Sequence, residues 1–305
     1  MELQTVTGSF FNTENAITAA CDPLLLEQVL EMCGYYDNLL SKTAPVSDVW
    51  KINQSHGTPT EISEHTVKIL KLALEMYDVS GGLFNIAMGP VIALWNFSNG
   101  KKEIPTQEAL EKALGNIDCK QIRLSGCSVM VPGGMKIDLG GIAKGYIADR
   151  IAEYLRENSV QSALVNLGGN IITIGQKPDG TPWKIGLQVP TTERKHRDKF
   201  WSAIECTNES VVTSGSYERG FYKDNRWYHH IIDPNTGMPS DNNVLSVTVC
   251  SPSSFLADAL TTPLFLLGES EGMDLADQYG VGAAYYLRDN RVVISAGMNK
   301  KFTDN

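Results

Sequence analysis

Apolar and polar positions change their spacing part-way along the chain, from mostly helical repeats to mostly alternating ones. Residues 3–20 alternate loosely and predict a hairpin turning around Asn12 to Asn15. Residues 24–40 then repeat at helical spacing, with Asp22 as N-cap and Pro23 at the first helical position. The pattern predicts a short helix over 47–53. A longer amphipathic helix follows over 63–77, where Ile69, Leu70, Ala73, Met76 and Tyr77 share a face and Ser80-Gly81-Gly82 stops it. Pro90 opens an apolar helix over 91–95, and 106–114 is also read as helix, leading to three short strands. Further on, strands dominate over 162–189, 201–213, 216–232 and 244–250. Two helices, 253–267 and 269–279, precede a terminal hairpin around Asp289-Asn290. Runs of helix and runs of strand, rather than strict alternation, indicate an α+β fold. The charged residues 191–199 read as a surface loop. No repeat, low-complexity tract or linker interrupts the chain, so one compact unit over 1–305 is expected.

Between the two textures lies the stretch around which the rest is organised, residues 135–150. Val129, Met130 and Val131, then Ile137 and Leu139 across Pro132-Gly133-Gly134, suggest a small hairpin ending at Asp138. Ile142, Ile147, Ile151, Tyr154 and Leu155 recur at helical spacing, so a helix starts just after Gly140-Gly141. A glycine turn into a helix start suits anions, because unpaired N–H groups point outward and the helix dipole favours negative charge. Lys144, in the first turn, adds a cation. The same glycines also fit a plain strand-to-helix turn with Lys144 in solvent, and the spacing matches neither familiar nucleotide-binding motif.

Composition narrows the partners. At 305 residues with 42% hydrophobic content, the chain has material for a large core. A net charge of −9 argues against nucleic acid as an obligate partner. Six scattered cysteines form no C-x-x-C pair, which fits buried thiols better than zinc or a disulfide framework. No export signal is visible at residues 1–10. A cytoplasmic location is expected as the sequence stands, and membrane association only if a signal or lipid anchor was trimmed.

Other segments carry candidate chemistry. Gly81 to Pro90 is a glycine-bounded loop ahead of a helix, and Leu164 to Asn170 is a buried strand ending in Gly168-Gly169. Ser214 to Arg219 and His229 to Gly237 are expected to lie within one antiparallel pair. On a strand the adjacent His229 and His230 must face opposite sides, which argues against a two-histidine metal site but leaves either as a site residue or a structural one. Residues 233–237 read as a turn. Asp258 and Thr262, at i and i+4 near a helix start, share a face. Together they offer oxygen ligands suited to a hard cation such as Mg²⁺. They equally fit a dipole-favoured carboxylate and a packed hydroxyl.

In this order the segments resemble the ApbE family of FAD:protein FMN transferases, over about residues 5–296. The resemblance implies an ApbE-like, T-fold-like architecture, with antiparallel sheets packed with helices around a central FAD and Mg²⁺ cleft. It implies Mg²⁺-dependent transfer of FMN from FAD to a Thr or Ser hydroxyl of an acceptor flavoprotein subunit, releasing AMP. Carried over residue by residue, the metal ligands are the Gly141 carbonyl, Asp258 and Thr262. The flavin-site positions are Thr43, Phe84, Asn85, Ile86, Asp138, Lys144, His230 and Ile231. His230, whose imidazole titrates in the right range, is the expected base for the acceptor proton, with Asp258 the second catalytic residue. Three positions depart from the family pattern: Thr7-Gly8-Ser9 replaces M-G-T, Thr43 stands where a flavin-facing Tyr is common, and Asn85 replaces an aspartate. A Mg²⁺-dependent FAD pyrophosphatase would use the same metal site. A non-catalytic flavin carrier would be favoured by loss of Asp258 or Thr262, and both are present.

Overall fold

A computed structural model describes residues 2–95, 97, 102–193, 199–298 and 301–303. The chain divides into two compact units. One comprises Met1–Asp37, Ala143–Gly215 and Asn243–Asn305, and the other Asn38–Ile142 and Ser216–Asn242.

The first unit is built on an eight-stranded antiparallel sheet in the order β1-β2-β6-β7-β10-β13-β14-β15. These strands are β1 (Gln4–Phe10), β2 (Thr13–Ala19), β6 (Ala163–Leu167), β7 (Asn170–Ile174), β10 (Ser210–Gly215), β13 (Val244–Ser251), β14 (Gly282–Leu287) and β15 (Val292–Ile294). The expected first hairpin forms, turning at Phe11-Asn12 with both φ values positive, the backbone twist that a two-residue turn requires. Gly168 and Gly169, both at positive φ, make the same kind of turn between β6 and β7. A second sheet, β16-β9-β8, comprises β8 (Trp183–Gln188), β9 (Phe200–Cys206) and β16 (Phe302–Thr303). Its Trp183, Ile185, Leu187 and Ile204 share a core with Val211, Cys250, Ala284 and Met298. Of the expected loop over 191–199, residues 194–198 lie outside the described ones.

Helix α1 (Pro23–Leu40) begins as its sequence predicts, with Asp22 Oδ1 accepting from Leu24 N–H at 2.9 Å. Helices α6 (Ala143–Glu157) and α7 (Ser254–Gln278) pack on each other and on the large sheet. The two helices expected over 253–279 form as the two arms of α7, parted by a kink at Gly268, whose φ of 81° and ψ of −178° are open to glycine alone.

The second unit carries α2 (Asp48–Gln54), α3 (Glu64–Val79), α4 (Gly89–Trp95) and α5 (Gln107–Leu114). Ser47, Ser63 and Thr106 cap α2, α3 and α5 with their hydroxyls. Small sheets complete it: β3 (Thr60–Glu61), β5 (Ser128–Met130) and β4 (Arg123–Ser125) in the order β3-β5-β4, and a hairpin of β11 (Gly220–Lys223) with β12 (Arg226–His229). The hairpin expected to end at Asp138 does not form. Strand β5 pairs with β3 and β4, so residues 135–139 find other partners. Lys136 bridges Met88, Gly89 N–H donates to Lys136 O, and Asp138 N–H donates to Ile86 O at 2.8 Å. Among the described residues, no helix is long and apolar enough to cross a membrane.

Candidate active site

In the first unit the chemistry gathers where α6 begins against α7. Asp258, on the second turn of α7, is 4% exposed. Its Oδ2 accepts the Gly145 backbone N–H at 2.8 Å, one of the orphan donors of the first turn of α6. The helices meet this closely because residue 145 is glycine. A Cβ there would lie 2.3 Å from the Ser254 carbonyl and 2.6 Å from the Asp258 Cβ. Asn170, fully buried, faces the same carboxylate. Its Oδ1 accepts from Ser254 Oγ at 2.6 Å, while its Nδ2 finds no partner of normal hydrogen-bond geometry among the described residues.

Burial pushes the Asp258 carboxyl above its ordinary range, against the opposing pull of the Lys144 charge, the Gly145 N–H and the Asn170 amide. Among the described residues, no Lys or Arg comes within ion-pairing distance of it. A buried carboxylate without a paired cation is expensive. Thr262, one turn on, is half-buried and its hydroxyl takes no hydrogen bond from the described residues, whereas Thr261 is buried and engaged with Asp258 O and Ser214 Oγ. A carboxylate and a hydroxyl on one helix face form an oxygen-only donor set. Among the described residues, here or elsewhere, no three His, Cys, Asp or Glu side chains cluster in a way that could hold a metal ion. These residues fit a hard cation, and they do not fit zinc.

The second unit gathers most of the remaining expected residues. Asp138 Oδ1 accepts from Gly140 N–H at 2.8 Å, and its Oδ2 pairs with Lys42 at 2.8 Å. Lys42 precedes Thr43, which is exposed and lies beside Ser41. Phe84 and Ile86 bury their side chains, and Ile86 O meets the Asp138 N–H. Asn85 holds its own loop, donating to Ile117 O and accepting from Ala87 N–H. Gly141 is exposed, in the turn just before α6. His229 ends β12 and His230 lies just beyond it, and the two rings meet different partners. His229 is 3% exposed with Nε2 at 2.9 Å from Ser240 O, while His230 is half-exposed with Nδ1 at 3.3 Å from Arg219 O. Ile231 is buried and its N–H donates to His229 Nδ1. Residues 233–237 form the expected turn, closed by Gly237 N–H to Asp233 O at 2.8 Å.

The family model described as "ApbE family" matches residues 8–286. The chain belongs to the ApbE family. It is 37% identical to the FAD:protein FMN transferase of Treponema pallidum, a match covering 90% of this chain and 80% of that protein. It is 34% identical to that of Klebsiella pneumoniae, over 92% of this chain and 88% of the relative. Among solved structures, the ApbE protein of Thermotoga maritima has a TM-score of 0.91 at 29% identity, covering 99% of this chain and 100% of that one. The flavin transferase ApbE of Vibrio cholerae has 0.86 at 26%, covering 98% and 99%.

In this ApbE chain several polar residues that support the site had no role assigned to them from the sequence. Asp149, on α6, receives Ser253 Oγ and the N–H groups of Ser254 and Phe255, and so ties the start of α7 to α6. Asn53 binds both backbone groups of Ile137, and Lys42 pairs with Asp138. A lone polar residue at the end of a helical repeat was the only available signal for Asn53, and partners 84 residues apart cannot be read from a single chain.

Proposed function

We infer that this chain is an FAD:protein FMN transferase. It moves the FMN half of FAD onto an acceptor flavoprotein, and the finer chemistry proposed for it is as follows. A Thr or Ser hydroxyl oxygen of the acceptor bonds to the phosphorus of the FMN half. The bond from that phosphorus to the bridging oxygen breaks, and AMP leaves. His230 takes the acceptor proton. Lys144 and the first-turn N–H groups of α6 bind diphosphate oxygens, which is mostly positioning and charge neutralisation. Asp258, Thr262 and the Gly141 carbonyl are the proposed Mg²⁺ ligands, and the cation when bound would neutralise charge on the diphosphate. Thr43, Phe84, Asn85, Ile86, Asp138 and Ile231 are proposed to contact the flavin nucleotide.

The observation that carries the reading is Asp258, a carboxylate buried over a helix start beside Thr262 with no ion-pair partner among the described residues. Incubation with FAD, Mg²⁺ and candidate flavoprotein subunits, read by in-gel flavin fluorescence, tests it. A covalently fluorescent acceptor band is expected, lost with Asp258→Ala and with His230→Asn, the latter still binding FAD. Release of free FMN and AMP without any labelled acceptor would instead make the chain a pyrophosphatase. Near-full transfer by His230→Asn would remove the histidine from its role.

A further inference from the structure

Asn53 occupies the buried last turn of α2, 8% exposed, and it treats residue 137 as a neighbouring strand would. Its Oδ1 accepts the Ile137 N–H at 2.7 Å and its Nδ2 donates to Ile137 O at 2.9 Å. Lys136 Nζ donates to the Asn53 backbone carbonyl from the same stretch. On the other side of the stretch, Gly89 N–H donates to Lys136 O and Asp138 N–H to Ile86 O. Residues 136–138 are therefore held like a central strand between the backbone of the 86–89 loop and one asparagine side chain. Asp138 and the turn to Gly141 leave directly from that clamp.

We propose that Asn53 is a positioning residue for FAD binding, setting the backbone from which Asp138 and the glycine turn are presented. The chemistry is specific to this side chain. A primary amide offers one acceptor and one donor at a fixed spacing that matches a peptide unit. Aspartate keeps only the acceptor, and leucine of similar volume keeps neither. With the amide gone, the Ile137 N–H and C=O are buried unpaired, and the stretch has reason to shift. A site residue must be held to a fraction of an ångström to keep its contribution. The inference rests on Asp138 serving FAD as proposed above.

The test compares Asn53→Leu, Asn53→Asp and, as a control in the same helix, Val49→Ala, whose side chain is fully buried. Each full-length protein is assayed for FAD dissociation by flavin fluorescence with the metal chelated, for melting temperature, and for KM and kcat of transfer. Asn53→Leu should weaken FAD binding and raise its KM by about tenfold or more, with kcat at saturating FAD much less affected. Asn53→Asp should fall between it and wild type, and remains informative if the leucine variant does not fold. Val49→Ala should lower the melting temperature while leaving FAD affinity unchanged. FAD affinity within about twofold of wild type in a folded Asn53 variant, or an equal loss in Val49→Ala, overturns the proposal. A wild-type chain that binds no FAD at all defeats the functional reading itself, and this positioning role with it.

Discussion

At Asp258, one side chain's surroundings set both its cost and its use. Burial raises its carboxyl pKa, and Lys144, Gly145 N–H and Asn170 only partly oppose this. The folded chain therefore holds that proton more tightly than the unfolded chain does. In cation-free protein, this group's contribution to stability is full below the unfolded aspartate value of about 3.9 and declines as pH rises through the folded value. Asp258→Asn removes the charge and retains an oxygen for the Gly145 N–H. The variant should melt above wild type at pH 7 in chelator, with the difference closing toward pH 4, as followed by circular dichroism. A variant less stable than wild type at pH 7 would show the carboxylate to be well paired in place. The i, i+4 spacing of Asp258 and Thr262 was legible in the sequence. Their burial, and the N–H that Gly145 supplies, were not, because that donor comes from 113 residues away.

Two glycines decide what the helices can do. At Gly145 an added methyl meets the Ser254 carbonyl and Asp258 at less than contact distance, so Gly145→Ala must part α6 from α7. Overpacking of this kind costs about 1–3 kcal/mol. Denaturant unfolding should show that loss, together with strongly reduced transfer. At Gly268 nothing lies within 4 Å of a would-be Cβ, so the cost of Gly268→Ala is conformational alone, about 1–3 kcal/mol at that φ and ψ. That variant should lose stability while its FAD KM stays unchanged, since the break lies well along α7 from Asp258. Helix boundaries were largely readable, because Asp22-Pro23, Ser47, Ser63, Thr106 and Gly81-Gly82 act on their own neighbours. The hairpin expected through Pro132-Gly133-Gly134 was misread for the complementary reason. Residues 135–139 alternate like a strand, but the partners they found are a loop and an amide remote in sequence.

Across the whole molecule, thiol chemistry reports how completely each unit closes its own core. Five of the six cysteines are buried and Cys127 is exposed. Desolvation pushes Cys33 up to about 12 and Cys119 up to about 11, which disfavours their reactive thiolates further. Titration of native protein with an aromatic disulfide reagent should count one fast thiol, and six after guanidinium. Several fast thiols in the native state would mean that the cores open readily. The sequence by itself determined the α+β alternation of textures, the helix starts and stops, the tight turns and the family. Each of these is written in local spacing, in residues that act on near neighbours, or in an ordered set of motifs. Only the tertiary structure decided that Asp258 is buried without an ion-pair partner among the described residues, that Asn85 ties its loop to Ile117, and that Asn53 stands in for a strand. Burial and hydrogen-bond partnership depend on which distant segments arrive together, and one-dimensional spacing carries no record of that.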